Sequence, residues 1–349
     1  MHSLLFIKHK DFNARTVDND LNILRSEYNV RLCNVGTTKG TGFFLSLIGQ
    51  FFYLLFNVHK FKFIFIWFAD YHSLLPVFFS RLFGKVSLIN IGGYDADEIL
   101  TGEAHGLKAK FRKFCVKYSV MNAAKLLPVS TIIKEYLVRF VDESRCEVIY
   151  NCVDTEKFSG NKLHGKENLI ITVGGGGEFV KEAKRKRLDL FIEIGNEFNE
   201  RYPDYNAKFF IIGHEPGTNT YNYLFPLIKS PNVELKPLTR SVDELLSYYE
   251  HASIYIQLSY YESFGIAQIE AMLNGCIPVS NDGGAIPEVV GDAGFIIHDF
   301  DKEKYISLIK EILDNKHEPL REKAKERVLN NFTFEVRKSR LLTLLQSLS

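Results

Sequence analysis

Tyr261–Val290 reads YESFGIAQIEAMLNGCIPVSNDGGAIPEVV. The apolar run Ile254–Gln257 leads into it, and Ser263-Phe264-Gly265 breaks that run. An Ala- and Leu-containing stretch at helical spacing, Gly265–Asn274, precedes the next apolar run, Ile277–Ser280. Strand, helix and strand with no hairpin turn between them predict a parallel βαβ unit. Outward from this unit the alternation repeats. In the second half the spacing predicts further strands at Leu169–Val173, Lys208–Ile212, Val233–Leu235 and Gly294–Ile297. Helices are predicted near Leu188–Arg201, Thr220–Ile228, Val242–His251, Lys302–Leu313 and Pro319–Asn331. The first half predicts strands at Leu4–Lys8, Val30–Asn34, Phe61–Phe68, Val86–Asn90, Leu126–Val129 and Glu147–Ile149. Its helices fall near Val17–Tyr28, Phe43–Val58, Ser73–Phe83, Leu107–Asn122 and Thr131–Phe140. Two such series imply an α/β protein of two doubly wound parallel sheets, with ligands beyond the carboxyl ends of the strands and the cleft between domains as the default site.

The composition agrees. With 349 residues, 46% of them hydrophobic and 24% charged, the chain can bury two cores. Lys+Arg (43) and Asp+Glu (42) nearly cancel, which argues against a general nucleic-acid binder. Five scattered cysteines lack metal-binding spacing and read as reduced thiols of a cytoplasmic protein. The opening MHSLLFIKHKDF has too short an apolar run for a signal peptide and reads as a first strand. The polar segment Lys157–Asn168 reads as a linker. Domains are therefore expected at 1–160 and 161–332, with a last helix from residue 333 to 349 that has no strand after it.

One stretch reads two ways. Phe43–Val58 is uncharged and falls between the length of a buried helix and that of a membrane span; it is taken as a core helix, with monotopic contact to a bilayer as the alternative. Lys108, Lys110, Arg112, Lys113 and Lys117, interleaved with Phe111 and Phe114, form either a solvated helix face or a basic face drawn to anionic lipid.

The chemistry concentrates at Glu262, Ser263, Phe264, Gly265 and Ile266. The unpaired amides of a helix's first turn, with the positive end of its dipole, suit an anion such as a diphosphate. Glu262 and Glu270 are eight residues apart, about 12 Å if helical. That separation is poor for the paired carboxylates of a glycosidase but suits two acids that read two parts of one long ligand. Read blandly, Glu262 is a loop acid and Glu270 a solvated helix residue. A second cluster follows strand Leu169–Val173: Gly174 and Gly175 open a Gly-rich run, and Lys181, Lys184, Arg185, Lys186 and Arg187 follow.

E-S-F-G-I-A-Q-I-E-A, with Gly283-Gly284-Ala285-Ile286-Pro287-Glu288 downstream, resembles the E-x7-E and G-G-x-x-E signatures of retaining, nucleotide-sugar-dependent glycosyltransferases. These are the family 4 (glycosyl transferases group 1) enzymes of GT-B fold. Pro128-Val129-Ser130, Tyr150-Asn151-Cys152-Val153-Asp154 with Phe158, and Phe210-Ile211-Ile212-Gly213 extend the resemblance over about half the chain. It implies a GT-B architecture of two Rossmann-like domains facing a central cleft, the second holding the donor and the last helix crossing back onto the first. Glu270 would take the donor's ribose hydroxyls, Glu262 the hydroxyls of its sugar, and the Phe264–Ala267 amides its diphosphate. Gly283 and Gly284 would close over the phosphates. Lys186 matches the family's diphosphate-binding Lys. The sequence departs from the pattern at two positions, Gly175 where the family usually has Arg, and Arg187 where it has Gly. Lys181 or Arg185 is the replacement cation.

In the first domain no family His is present, since Gly93 or Tyr94 stands at its place. Asp95, at the end of the fourth strand, is the candidate for orienting an acceptor hydroxyl. His72 and His105 stand near strand ends without a stronger signal. Asp95-Ala96-Asp97 has the form of a metal motif that belongs to a different transferase fold, so no metal and no cofactor are expected beyond a nucleotide-diphosphate sugar as co-substrate. The expected reaction passes a hexosyl-type group, with retention, from a UDP- or GDP-sugar to a saccharide or lipid-linked acceptor in polysaccharide or glycoconjugate synthesis. The expected place is the cytoplasm, with peripheral contact at the inner face of the cell membrane. The competing readings are another GT-B enzyme (a sugar-nucleotide 2-epimerase or a phosphorylase) or a non-catalytic glycosyltransferase-like subunit.

Overall fold

The computed structural model describes residues 3–10, 14–36, 40–93, 95–96, 102, 105–160, 165–174, 179–315 and 317–349. The chain divides into two units, Met1–Asn151 with Phe334–Ser349, and Cys152–Thr333.

In the first unit the β-branched and aromatic runs become β1 (Ser3–His9), β2 (Asn29–Val35), β3 (Phe63–Trp67), β4 (Val86–Ile91) and β5 (Lys125–Pro128). They pair in parallel in the order β2-β1-β3-β4-β5. β3 is buried along its whole length, as a central strand covered on both faces must be. Helices α1 (Arg15–Glu27), α2 (Gly40–Asn57), α3 (Leu74–Leu82) and α4 (Gly106–Asn122) make the crossovers, and α5 (Thr131–Leu137) follows β5. The expected strand Glu147–Ile149 forms no ladder. It runs beside β5 with two backbone bonds, Glu147 N to Leu126 O and Ile149 N to Pro128 O, and an isolated parallel bridge between Leu126 and Cys146.

The second unit opens with α6 (Thr155–Phe158) and then β6 (Glu167–Val173), α7 (Val180–Arg185), α8 (Leu188–Arg201), β7 (Lys208–Ile212), α9 (Asn219–Leu224) and β8 (Val233–Lys236). It continues with α10 (Val242–His251), β9 (Ala252–Gln257), α11 (Ile266–Leu273), β10 (Ile277–Asn281), α12 (Ile286–Val290), β11 (Phe295–Ile297), α13 (Lys302–Asn315) and α14 (Glu318–Asn331). All its strands are parallel, in the order β11-β10-β9-β6-β7-β8. The winding reverses between β6 and β9, which in a doubly wound sheet is where a ligand crevice opens at the strands' carboxyl ends.

Residues 152–160 belong with the second unit rather than with the first. Val153 N donates to Phe332 O, and Asn274 takes both the Phe158 carbonyl and the Gly160 amide. The last helix, α15 (Phe334–Ser347), belongs to the first unit. Its Leu341, Leu344 and Leu345 join that unit's core beside Leu21 and Leu24 of α1. Arg337 enters the same core, donates from Nε and Nη2 to the buried Asp20 carboxylate, and reaches the carbonyls of Ile149 and Tyr150.

α2 departs from the core reading. Its buried face carries Gln50 and Leu54, while Phe44, Leu45, Ile48, Phe52 and Phe56 are exposed. Hydrophobicity alone does not say which face a helix turns inward. All five cysteines are free thiols.

Candidate functional site

β6 and β9 end side by side in the second unit, and the loops that leave them carry the site. Glu262 lies just beyond β9. Its Oε1 accepts from Ser259 Oγ at 2.8 Å, Gln257 Nε2 at 3.2 Å and Arg185 Nη1 at 3.3 Å. Gln257 is itself oriented by the Tyr255 hydroxyl at 3.0 Å. Among the described residues nothing bonds to Glu262 Oε2. One oxygen of this partly exposed carboxylate is thus held by three donors and the other remains available.

The cations come from the loop after β6. Lys181–Arg187 reads as a basic loop in sequence, but its first part coils into α7, and Arg185 and Lys186 stand at the end of that helix. Arg185 donates to the Tyr261 carbonyl at 2.6 Å as well as to Glu262, and its own carbonyl accepts from Tyr260 N at 2.9 Å. Lys186 Nζ donates to the Val173 carbonyl at 2.9 Å. Burial pushes the Lys186 ammonium below its usual range, with Glu262 opposing the shift. Lys181 is exposed and makes no hydrogen bond or ion pair among the described residues, so Arg185 is the cation that the fold brings to Glu262. Gly175 lies outside the described residues.

Arg187 shows why a glycine would suit its position. Its backbone is left-handed, φ 51° and ψ 44°, at the entry to α8. An L side chain there costs about 1–2 kcal/mol. The guanidinium compensates by lying over the rings of Phe300 (4.7 Å) and Tyr260 (5.2 Å).

Gly265 occupies the N-cap position of α11 and supplies no side-chain cap, and Gly265, Ile266 and Ala267 are partly exposed. The helix start is therefore open to an anion. Ser263 is also partly exposed, whereas Phe264 is buried edge-on against Phe332 at 5.4 Å and anchors the loop. Glu270 lies within α11, only 3% exposed, and its Oε2 accepts from the buried Tyr249 hydroxyl at 3.0 Å. It is not the solvated helix residue of the bland reading.

Gly283 and Gly284 support the Glu262 loop from below. A Cβ on Gly283 would lie 2.3 Å from Ser259 O, and one on Gly284, which has φ +66°, 2.4 Å from Glu262 O. Ala285 N donates to Glu262 O at 2.8 Å. In this structure the two glycines let β10's exit pack against the loop that carries Glu262.

His214 was not identified from the sequence. It follows Gly213 at the end of β7, is 2% exposed, and has no hydrogen-bond partner on either ring nitrogen among the described residues. Its Nε2 fills the space beside Gly174, where a Cβ would approach to 2.0 Å. Burial, reinforced by the charge of Lys186, pushes its pKa down to about 4, so the ring is neutral. The only signal in sequence was a His directly after the Phe210–Gly213 run, one strand away from Gly174.

In the first unit the candidates resolve differently. Asp95 is 1% exposed, and its two oxygens accept from Ala69 N and Gly93 N, each at 3.0 Å. Burial raises its carboxyl to about 7. In this structure Asp95, read from the sequence as the acceptor-orienting candidate, braces two strand ends. His72 is likewise structural, with Nε2 2.8 Å from the Trp67 carbonyl. Tyr94 and Asp97 lie outside the described residues, and His105 is exposed at the start of α4. Among the described residues no group of three His, Cys, Asp or Glu side chains is arranged to hold a metal ion.

The model of the family described as glycosyl transferases group 1 matches residues 154–330. The capsular polysaccharide biosynthesis glycosyltransferase CapM of Staphylococcus aureus is 26% identical over 239 residues, covering 63% of this chain and 60% of that protein. The D-inositol 3-phosphate glycosyltransferase of Corynebacterium aurimucosum is 30% identical over 138 residues, 38% of this chain and 33% of that protein. The chain thus spans between a third and three fifths of the length of these relatives. Among solved structures, HepE of Anabaena in complex with UDP and glucose superposes with a TM-score of 0.74 at 12% identity, covering 99% of this chain and 100% of that one. The fold is the two-sheet α/β arrangement of GT-B glycosyltransferases.

Proposed function

The chain belongs to the glycosyl transferases group 1 family, and from that premise we propose that it moves a glycosyl group from a nucleotide-diphosphate sugar to a hydroxyl acceptor, with retention and without a metal. The observation that carries this reading is Glu262, one oxygen held by three donors and the other without a partner among the described residues, beside Arg185, Lys186 and the start of α11, which has no side-chain cap. Donor cleavage leaves negative charge on the departing diphosphate. Arg185, Lys186 and the amides at 265–267 meet that charge in the role that a divalent cation fills elsewhere, while Glu262 Oε2 accepts a hydroxyl of the sugar. A preorganised donor aimed at developing charge lowers the barrier by about 2.7–4 kcal/mol. Glu270 takes the ribose hydroxyls, exchanging its bond from Tyr249.

The acceptor is a saccharide or lipid-linked saccharide of polysaccharide or glycoconjugate synthesis. Support comes from relatives named for capsular polysaccharide synthesis and for transfer of mannose from GDP-mannose to cellobiosyl-diphosphopolyprenol (Xanthomonas campestris). A thermal-shift panel of UDP-, GDP- and ADP-sugars identifies the donor, and the anomeric configuration of the product by NMR tests retention. Glu270→Ala is expected mainly to weaken donor binding, and Lys186→Ala and Glu262→Ala mainly to lower turnover. Kinetics like the parent chain's in all three would remove the site. Donor turnover without acceptor, or dependence on phosphate, would point to an epimerase or a phosphorylase instead.

A further inference from the structure

α2 is built inside out for a helix in water. Its inward face carries polar groups, with Gln50 Nε2 donating to His72 O at 2.9 Å and Ser46 Oγ accepting from Gly36 N at 3.0 Å. Its outward face carries Phe44 (65% exposed), Leu45 (68%), Ile48, Phe52 and Phe56 (64%), at the three- and four-residue spacing that makes one stripe. The stripe does not end with the helix. Phe52 leads through Phe51 to Phe79 of α3, which touches Phe78 and Phe83, and Leu82 beside them is also exposed. From the other end Phe44 leads through Phe43 and Tyr71 to Phe111 and Phe114 of α4. Exposed aromatic side chains on three helices of one unit are thus tied together through the buried rings of Phe79 and Tyr71, which is more than single apolar side chains scattered on a surface.

Charge identifies what covers it. Gly40–Asn57, Leu74–Leu82 and Gly106–Asn122 contain no Asp or Glu. Exposed cations border them: Lys60 after α2, Arg81 on α3, and Lys108, Lys110 and Lys117 on α4. Asp70 is engaged by Arg112 of α4. A second copy of the chain would set these cations against their own kind, whereas an anionic bilayer offers an apolar interior below a negative headgroup layer. α2 is also long and apolar enough to cross a membrane by length and composition. Leu54 and the nearby Val58, however, are fully buried in the unit, and Gln50 bonds within it, which favours a helix lying along a bilayer surface over one passing through it.

We propose that the aromatic face of α2, α3 and α4, with its rim of Lys60, Arg81, Lys108, Lys110 and Lys117, docks the first unit onto anionic phospholipid. The proposal does not depend on the transfer reaction. It is tested with the full chain by flotation with vesicles of phosphatidylcholine alone and of phosphatidylcholine with about a third phosphatidylglycerol. The parent chain is expected to float with the anionic vesicles at least tenfold better than with the neutral ones, less so as salt rises. Phe52→Ser/Phe56→Ser, at exposed positions, is expected to lower binding at least tenfold with an unchanged thermal unfolding midpoint. Lys108→Glu/Lys110→Glu/Lys117→Glu is expected to remove the anionic preference. Donor binding is expected to be unchanged in both. No flotation with anionic vesicles at low salt would overturn the proposal, as would full binding by Phe52→Ser/Phe56→Ser. So would a parent dimer by light scattering that this variant splits without any vesicle binding, because a second copy would then cover the face.

Discussion

The proposed transfer rests on Glu262 and Lys186, and their neighbours show how the fold orients them. The three donors on Glu262 Oε1 hold the side chain in one orientation, so Glu262→Gln, which keeps size but weakens acceptance, is expected to lower turnover about 10²–10³-fold. Steady-state kinetics check this, with KM expected to change less than kcat. Arg187 gives a prediction of the opposite kind. Arg187→Gly releases a left-handed strain of about 1–2 kcal/mol while losing the contacts to Tyr260 and Phe300, so its unfolding midpoint is expected to move little. Arg187→Val keeps the strain, loses the contacts, and is expected to cost about 1–3 kcal/mol. A denaturation series over the three proteins decides it. The need for a glycine-like backbone here was visible in the sequence only as a departure from a pattern; the aromatic pair that makes Arg acceptable comes from positions 260 and 300, far along the chain.

At the scale of elements, β6, β7 and β9 bring Gly174, His214 and Glu262 to one edge. Gly174→Ala is expected to displace His214, since the new Cβ would meet its Nε2 at 2.0 Å. Loss of the site with little change in overall secondary structure, by circular dichroism, is the expected outcome. His214 also sets a pH dependence. Its folded pKa, about 4, lies below the ordinary 6.5, so between those values the unfolded chain takes up a proton that the folded chain does not. Stability is therefore lost as pH falls through that window. From pH 7 to pH 5 the parent chain is expected to lose about 2 kcal/mol more than His214→Gln, read from denaturant midpoints of the second unit. Long periodic elements were legible in sequence. α7 was not, because six residues rich in Lys and Arg show no apolar period. The ragged edge at Glu147–Ile149 was missed for the reverse reason, a strand-like composition with few partners to bond.

At the scale of the molecule, each unit closes its own core, and the first recruits α15 from the chain's other end. Arg337 and Asp20 form a buried, doubly bonded pair, with Trp67 Nε1 also donating to Asp20 at 2.9 Å. Removing one charge leaves the other desolvated, so Arg337→Met is expected to cost about 3–5 kcal/mol, and the double variant Asp20→Asn/Arg337→Met distinctly less than the sum of its parts. Guanidinium denaturation followed by Trp67 fluorescence measures both, Trp67 being the chain's one tryptophan and lying in this unit. That a last helix lacks a following strand was evident from the periodicity. Which core receives it was not, since the deciding contact joins positions 20 and 337.

The sequence by itself determined the two parallel sheets, the open helix start after Glu262 and the cationic stretch near it, because periodicity, turn residues and charge spacing are local properties that neighbouring residues impose on one another. Only the tertiary structure decided that Arg185 and not Lys181 meets Glu262, that Asp95 is enclosed by backbone amides, that His214 stands at Gly174, and that α2 turns its phenylalanines outward. Each of these depends on contacts between segments distant in sequence, where packing and desolvation choose among side chains that composition leaves equivalent.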